Sequence, residues 1–264
     1  SSADLLLFPY LVLTSGHALL LSKDMQSGIV FEKQDTLKFF HQMYDRYLEQ
    51  VSSFGVVMNN LPTQLSYFHN IRADMEQNYC FQMLPCLTFG IPDYFFDKYI
   101  YPEIPSRDKL IAMLMDYVHS IRKRFTEHPV RFIFSEDGLQ RFLETGRIPE
   151  YPPAVYRPFE LSDRIVLIRQ FLKFCPPNGL CMLKCTIGDL DNELFMYVNP
   201  RNGYLMFPSS EPDQLICLDI TEPGLLHGFC DFCEHLDKDL FYTETEAYSL
   251  ISSLLDKTEQ KKGS

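Results

Sequence analysis

The densest group of reactive side chains is His227-Gly228-Phe229-Cys230-Asp231-Phe232-Cys233-Glu234-His235. A C-x-x-C pair supplies two thiolates, and a structural zinc ion needs four nitrogen or sulfur ligands. Cys181 and Cys185 could complete the set, because alternation along a strand puts both on one face. Cys181, Cys185, Cys230 and Cys233 are therefore the one metal site the sequence offers, and it stands as the runner-up to no metal at all. Cys230 and Cys233 fall inside a helical stripe with Leu226, Phe229 and Leu236, where cysteine serves as a small hydrophobe. A redox C-x-x-C would sit at a helix N-terminus, where the dipole lowers the thiol pKa, and this pair falls mid-helix. Core packing is the expected role.

Other catalytic signatures are missing. There is no G-x-G-x-x-G, no Gly-Lys-Ser/Thr run, no G-x-S-x-G elbow and no H-E-x-x-H. Thr14-Ser15-Gly16-His17 brings a serine near a histidine, but a hairpin turn explains it without a triad. Asp189, Asp191 and Glu193 could hold a hard cation but lack the EF-hand spacing and glycine, so a solvated hairpin tip is expected. These absences point away from an enzyme, imply no cofactor, and single out no catalytic or ligand-binding residue. An enzyme, a hydrolase or transferase with an unrecognised site, remains the alternative.

Charge narrows the partners. With 35 acidic against 24 basic residues the formal charge is −11, whereas a phosphate backbone is gripped by clustered Lys and Arg. The densest basic run, Arg122-Lys123-Arg124, reads as a solvated helix face, so direct nucleic-acid binding is not expected. Eight cysteines lie mostly in apolar runs, consistent with free thiols in a reducing compartment. No apolar run approaches the roughly 18 residues of a membrane span, and the start lacks a basic signal region. A cytoplasmic protein is the expectation.

The elements that must position these residues alternate in type, which predicts an α/β (α+β) fold. Strands are expected near 11–13, 17–21 and 28–32, then a helix with Leu37, Phe40, Tyr44, Tyr47 and Val51 on one face. Further helices fit 62–77, 93–100 and 106–125, the last capped by Ser106. Cys80 to Phe89 reads as a buried strand and Val130 to Phe134 as another. Ser135 opens a short helix that Gly146 ends. Four prolines between 149 and 158 mark a connector, the best boundary candidate. A helix at 162–175, strands near 180–186, 193–199, 203–207 and 215–219, and helices at 222–236 and 243–256 complete the chain. Asn202-Gly203 marks a hairpin.

Two distant segments follow one plan. Gly16 to Ser22, an acidic turn, and Gly28 to Glu32 lead into a helix. Gly203 to Ser209, the turn Glu211-Pro212-Asp213, and Leu215 to Asp219 do the same. The echo predicts pseudo-duplicated strand-strand-helix units forming one mixed sheet, with a mainly helical insertion between them. The corresponding segments are 1–60, 61–160 and 161–264. A ligand would be expected at the interface of the two units.

Leu19-Leu20-Leu21-Ser22-Lys23-Asp24-Met25-Gln26-Ser27-Gly28-Ile29, together with Glu127-His128-Pro129, Ser135 to Leu139 and Glu144 to Arg147, resembles the large C-terminal regions of certain bacterial helix-turn-helix transcriptional regulators. In such proteins a small N-terminal domain binds DNA, and the larger region senses an effector or dimerises. The resemblance implies a non-enzymatic domain that binds a small-molecule effector and forms a homodimer. The echoed units also resemble the phospholipase D-like scaffold, but His17-Ala18-Leu19 lacks the lysine of its His-x-Lys signature.

Overall fold

A computed structural model describes residues 8–49, 57–58, 60–187, 194–208 and 215–262. The chain is mixed α/β, as its alternating elements predict, and forms two compact units, Ser1–Ser53 and Phe54–Ser264.

In the first unit β1 (Tyr10–Leu13), β2 (Ala18–Leu21) and β3 (Gly28–Phe31) form an antiparallel meander. The first turn closes where the Thr14 hydroxyl accepts from the His17 amide at 3.0 Å, which is the hairpin role expected of that segment. Helix α1 (Gln34–Leu48) buries Leu37 and Phe40 against Ala18, with Leu11, Leu13, Leu20, Phe31 and Met43 around them. Tyr44 and Tyr47, predicted to share that face, are exposed. A strand of four residues spans ~13 Å, while the helix of 15 residues runs ~22 Å. The sheet is too short to cover the last turns.

The second unit contains β4 (Val57–Met58), α2 (Leu61–Asn70), β5 (Tyr79–Gln82), α3 (Tyr94–Tyr99), α4 (Arg107–Glu127), β6 (Arg131–Ser135) and α5 (Glu136–Thr145). It continues with α6 (Leu161–Phe174), β7 (Leu180–Leu183), β8 (Phe195–Val198), β9 (Gly203–Pro208), β10 (Leu215–Ile220), α7 (Pro223–Glu234) and α8 (Glu244–Lys262). The seven strands lie in the order β4-β10-β9-β8-β5-β6-β7. β5, β6 and β7 are parallel and are joined by helical crossovers, whereas β8, β9 and β10 are antiparallel neighbours.

Alternation assigns the faces. Cys80, Phe132, Phe134, Met182, Tyr197, Tyr204 and Met206 point toward α2, α4, α6 and α8. Tyr79, Phe81, Ile133, Leu183, Met196 and Val198 point toward α7. The larger core is aromatic: the Phe89 and Phe132 rings stack at 4.9 Å, with Phe125 and Phe171 edge-on to Phe132.

The echoed units do not share a sheet. β2 and β3 belong to the three-stranded sheet, β9 and β10 to the seven-stranded one. The local hydrophobic pattern is the same, but β2 pairs on both sides within its own meander, and β10 takes β4 as its second neighbour. The mainly helical segment between them also supplies β5 and β6, the fifth and sixth strands in the order of the large sheet. Ser106 does not cap α4 with its side chain; its backbone is left-handed, at φ 55°. Ser135 does cap α5, accepting from the Gly138 amide at 3.0 Å.

Candidate functional site

The site is built where β5 ends. Alternation turns Cys80 and Gln82 to the same side, toward α4. The chain then passes through Cys86 into a single helical turn, Thr88–Gly90. Helix α5 fixes this turn from the next strand. The Ser135 hydroxyl donates to the Met83 carbonyl at 3.2 Å, and Gly138 lies so close that a β-carbon there would meet the Met83 oxygen at 1.8 Å. After α5 the chain reverses at Gly146, whose left-handed φ of 64° glycine adopts without strain. The Pro-rich segment 147–160 then runs back over the end of β5 as a strap. It is no boundary: Ile148, Tyr151, Tyr156 and Phe159 belong to the main core.

The strap carries Glu150 and Tyr151 inward. Glu150 is 5% exposed, Tyr151 6%, and Gln82 and Thr88 1% each. Both oxygens of Glu150, both polar atoms of the Gln82 amide, the Thr88 hydroxyl and the Tyr151 hydroxyl are buried with no hydrogen-bond partner among the described residues. Three other such atoms, on Gln64, His128 and Asn202, are scattered singly. An unsatisfied buried polar group costs about 1–3 kcal/mol. Groups of this kind are served by a bound water, an ion or a ligand, or by small rotations that pair them with one another.

Burial is the main cause of the acid's behaviour: it raises the Glu150 pKa from 4.5 to about 7. Gln82, Thr88 and Cys86 stand beside the carboxyl and favour its charged form, but none meets it in hydrogen-bond geometry, so burial wins. The Cys86 thiol is pushed well up by its contact with Cys80 and then by burial. Burial likewise keeps the phenols of Tyr117 and Tyr151 protonated. Of the groups here with a resolved shift, Glu150 is the one that changes charge near neutral pH.

The strap's basic residues face away from this centre and hold its backbone. Arg147 donates to the Tyr156 carbonyl at 2.6 Å, and the Tyr156 hydroxyl is bonded to both the amide and the carbonyl of Ile148. Arg164 donates to the carbonyls of Phe159, Leu143 and Glu144 at 2.6–2.9 Å. Arg157 donates to the Lys98 carbonyl at 2.9 Å, while Lys98 pairs with Glu160 and Asp163 at 2.7 Å. A β-bridge joins Ile100 to Tyr156.

The four cysteines of the runner-up metal set differ in exposure. Cys185 is exposed, Cys181 half-buried, and Cys230 and Cys233 are buried in the cluster between α7 and the sheet. Burial raises Cys230 to about 11 and Cys233 to about 12, so neither is a thiolate at neutral pH. Among the described residues no three His, Cys, Asp or Glu side chains gather as a metal site. Asp189, Asp191 and Glu193 lie outside the described residues. Arg122 and Arg124, read above as a solvated face, are bonded to the carbonyls of Phe89, Ile91 and Phe68. Two surface clefts, of about 560 and 260 Å³, are lined by Leu143, Leu254 and their neighbours and by Tyr79, Arg131 and theirs, and neither reaches the centre.

None of the centre's residues stood out as functional in the sequence. The signal was present, however. Gln82 and Thr88 interrupt a run otherwise read as fully buried, and Glu150 lies between Ile148-Pro149 and Tyr151-Pro152. A polar residue in such a place needs a partner. No protein-family model, curated protein or solved structure matches the chain, so the chemistry of the centre is its own guide. No helix among the described residues is long and apolar enough to cross a membrane.

Proposed function

We propose that this chain is a non-enzymatic effector-sensing and dimerising domain of a cytoplasmic bacterial transcriptional regulator, and that its effector binds at the Gln82–Thr88–Glu150–Tyr151 centre beneath the strap. The observation that carries the reading is this buried polar cluster, six of whose atoms have no hydrogen-bond partner in good geometry among the described residues. Their position at the carboxyl ends of parallel strands, where open α/β sheets bind ligands, supports it. The transcriptional context rests on the resemblance of the Leu19–Ile29 and Glu127–Arg147 segments. Dimerisation is supported by the first unit, which exposes Tyr10, Val12, Val30, Phe39, Tyr44 and Tyr47.

A carboxyl that titrates near neutrality also suits a general base. The enzymatic alternative has no histidine ring bonded to a hydroxyl or thiol among the described residues. Among the described residues the rings of His17, His119 and His235 meet carboxylates, not a hydroxyl or thiol.

Thermal denaturation against a panel of metabolites tests the reading. A ligand at 100 times its Kd adds about 2.7 kcal/mol, which raises Tm by roughly 5–10 °C in a chain of this size. A panel in which no compound raises Tm in the wild type, or raises it equally in Glu150→Gln, would overturn it. The reading frame encoding the chain is expected to carry a helix-turn-helix segment upstream.

A further inference from the structure

We infer that the cleft at the amino ends of β5 and β6 binds a free α-amino acid, its carboxylate on Arg131 and its ammonium on Glu76. The cleft lies at the other end of β5 from Gln82, so this is a second site and goes beyond the effector reading above.

Strand pairing builds the cleft. Tyr79 of β5 lies opposite Arg131 of β6, and the Arg131 guanidinium stands over the Tyr79 ring at 5.8 Å. The Arg131 Nε donates at 3.5 Å to the sulfur of Cys181, a weak acceptor. No carboxylate pairs with this guanidinium among the described residues. Its planar fork is thus held in place on a half-buried side chain, available to a carboxylate that can take two parallel bonds. The cleft measures about 260 Å3, and its lining includes Glu76, Pro129, Pro177 and Asn178. Small-molecule pockets commonly span about 300–1,000 Å3. An amino acid suits a space of this size and a nucleotide does not.

Charge selects the ligand. Glu76 lines the same cleft as Arg131, yet no ion pair joins them, and its carboxylate is bonded to nothing among the described residues. The other acids of this corner already have partners. Glu234 accepts from the Tyr79 hydroxyl at 3.3 Å and from the Gln77 amide at 3.1 Å, and Asp74 pairs with Arg201 at 3.3 Å. The cleft therefore carries one unpaired cation, a donor that cannot accept, and one unpaired anion, an acceptor that cannot donate. A phosphate dianion would bring a surplus negative charge beside Glu76, and a simple amine would meet the charge of Arg131. A zwitterion matches both ends. Pro129, Pro177 and the Tyr79 ring supply apolar surface for its side chain.

Isothermal titration calorimetry of the full chain tests this, with the free L-amino acids of proteins as probes at neutral pH. At least one should bind at millimolar concentration or below. For the tightest binder, two analogues of nearly the same size separate the contacts: the deamino acid lacks the ammonium, and the α-amide lacks the carboxylate. Each should bind about tenfold more weakly or worse, the loss expected of one charge-assisted contact. Arg131→Gln should weaken the free amino acid and its deamino analogue alike, by about tenfold or more. Glu76→Gln, at an exposed position, should erase the difference between those two. Analogues that bind as tightly as the free amino acid would overturn the inference, and that comparison needs no variant. So would binding undiminished in Arg131→Gln, or a failure of every amino acid to bind at millimolar concentration.

Discussion

Replacing Glu150 with glutamine should stabilise the protein, and only above about pH 5. The folded pKa of Glu150 is raised from 4.5 to about 7, so the native state holds this proton more tightly than the unfolded chain does. Below pH 4.5 the acid is protonated in both states and contributes no difference. Between 4.5 and 7 the unfolded chain releases its proton first, and native stability falls as pH rises. Above 7 the loss is complete. At 1.36 kcal/mol per unit, a rise of about 2.5 units amounts to about 3 kcal/mol. Glutamine has nearly the same shape and no charge to desolvate, so Glu150→Gln should match wild type at pH 4.5 and exceed it by about 3 kcal/mol at pH 8. In Tm this is roughly 6–12 °C. Urea denaturation followed by far-UV circular dichroism at pH 4.5, 5.5, 6.5 and 8 measures it. Taking the difference between the two proteins cancels the other carboxylates, among them Asp74 and Glu246, whose lowered pKa values act in the opposite sense. A difference that stays constant across this range, or that favours wild type at pH 8, would refute the assignment of an uncompensated buried charge.

Other perturbations separate the strap, the cysteines and the first unit. Arg164→Met removes donors to three carbonyls, which should cost about 2–4 kcal/mol and accelerate amide exchange across 147–160 more than in β6; uniform exchange would show that the strap does not open by itself. Cys233→Ser places a hydroxyl in an apolar cluster and should cost about 1–3 kcal/mol, while added zinc leaves the Tm of wild type unchanged; zinc stabilisation lost in the variant would restore a metal role. Tyr47→Glu with Val30→Glu should convert a dimer to a monomer in light scattering, and an unchanged mass would move the interface away from the first unit.

Much of the fold was legible because local signals sufficed. Ser135 and Gly146 delimit α5 by capping and by backbone handedness, and Asn199 to Asn202 close the β8–β9 hairpin through the Asn199 side chain. Pairing was not legible. β2–β3 and β9–β10 carry the same short pattern, but which strand lies beside them depends on β4 and on the crossovers that bring β5, β6 and β7 together. The helix stripe of α1 was legible only as far as the sheet reaches: Leu37 and Phe40 are buried, Tyr44 and Tyr47 are not. The site was hidden for a further reason. Gln82, Thr88 and Glu150 form no spaced motif, and what sets them apart is the absence of partners, a property of three-dimensional packing.

The carbon-13 shift of the Glu150 carboxyl, followed against pH in chain labelled at the glutamate δ-carbon and assigned through Glu150→Gln, is the most direct test of that packing. A midpoint near pH 7 is the expected result. A midpoint near 4.5, the ordinary value for glutamate, would mean that water or a basic side chain already serves this carboxyl, and the centre would lose its claim to be a site.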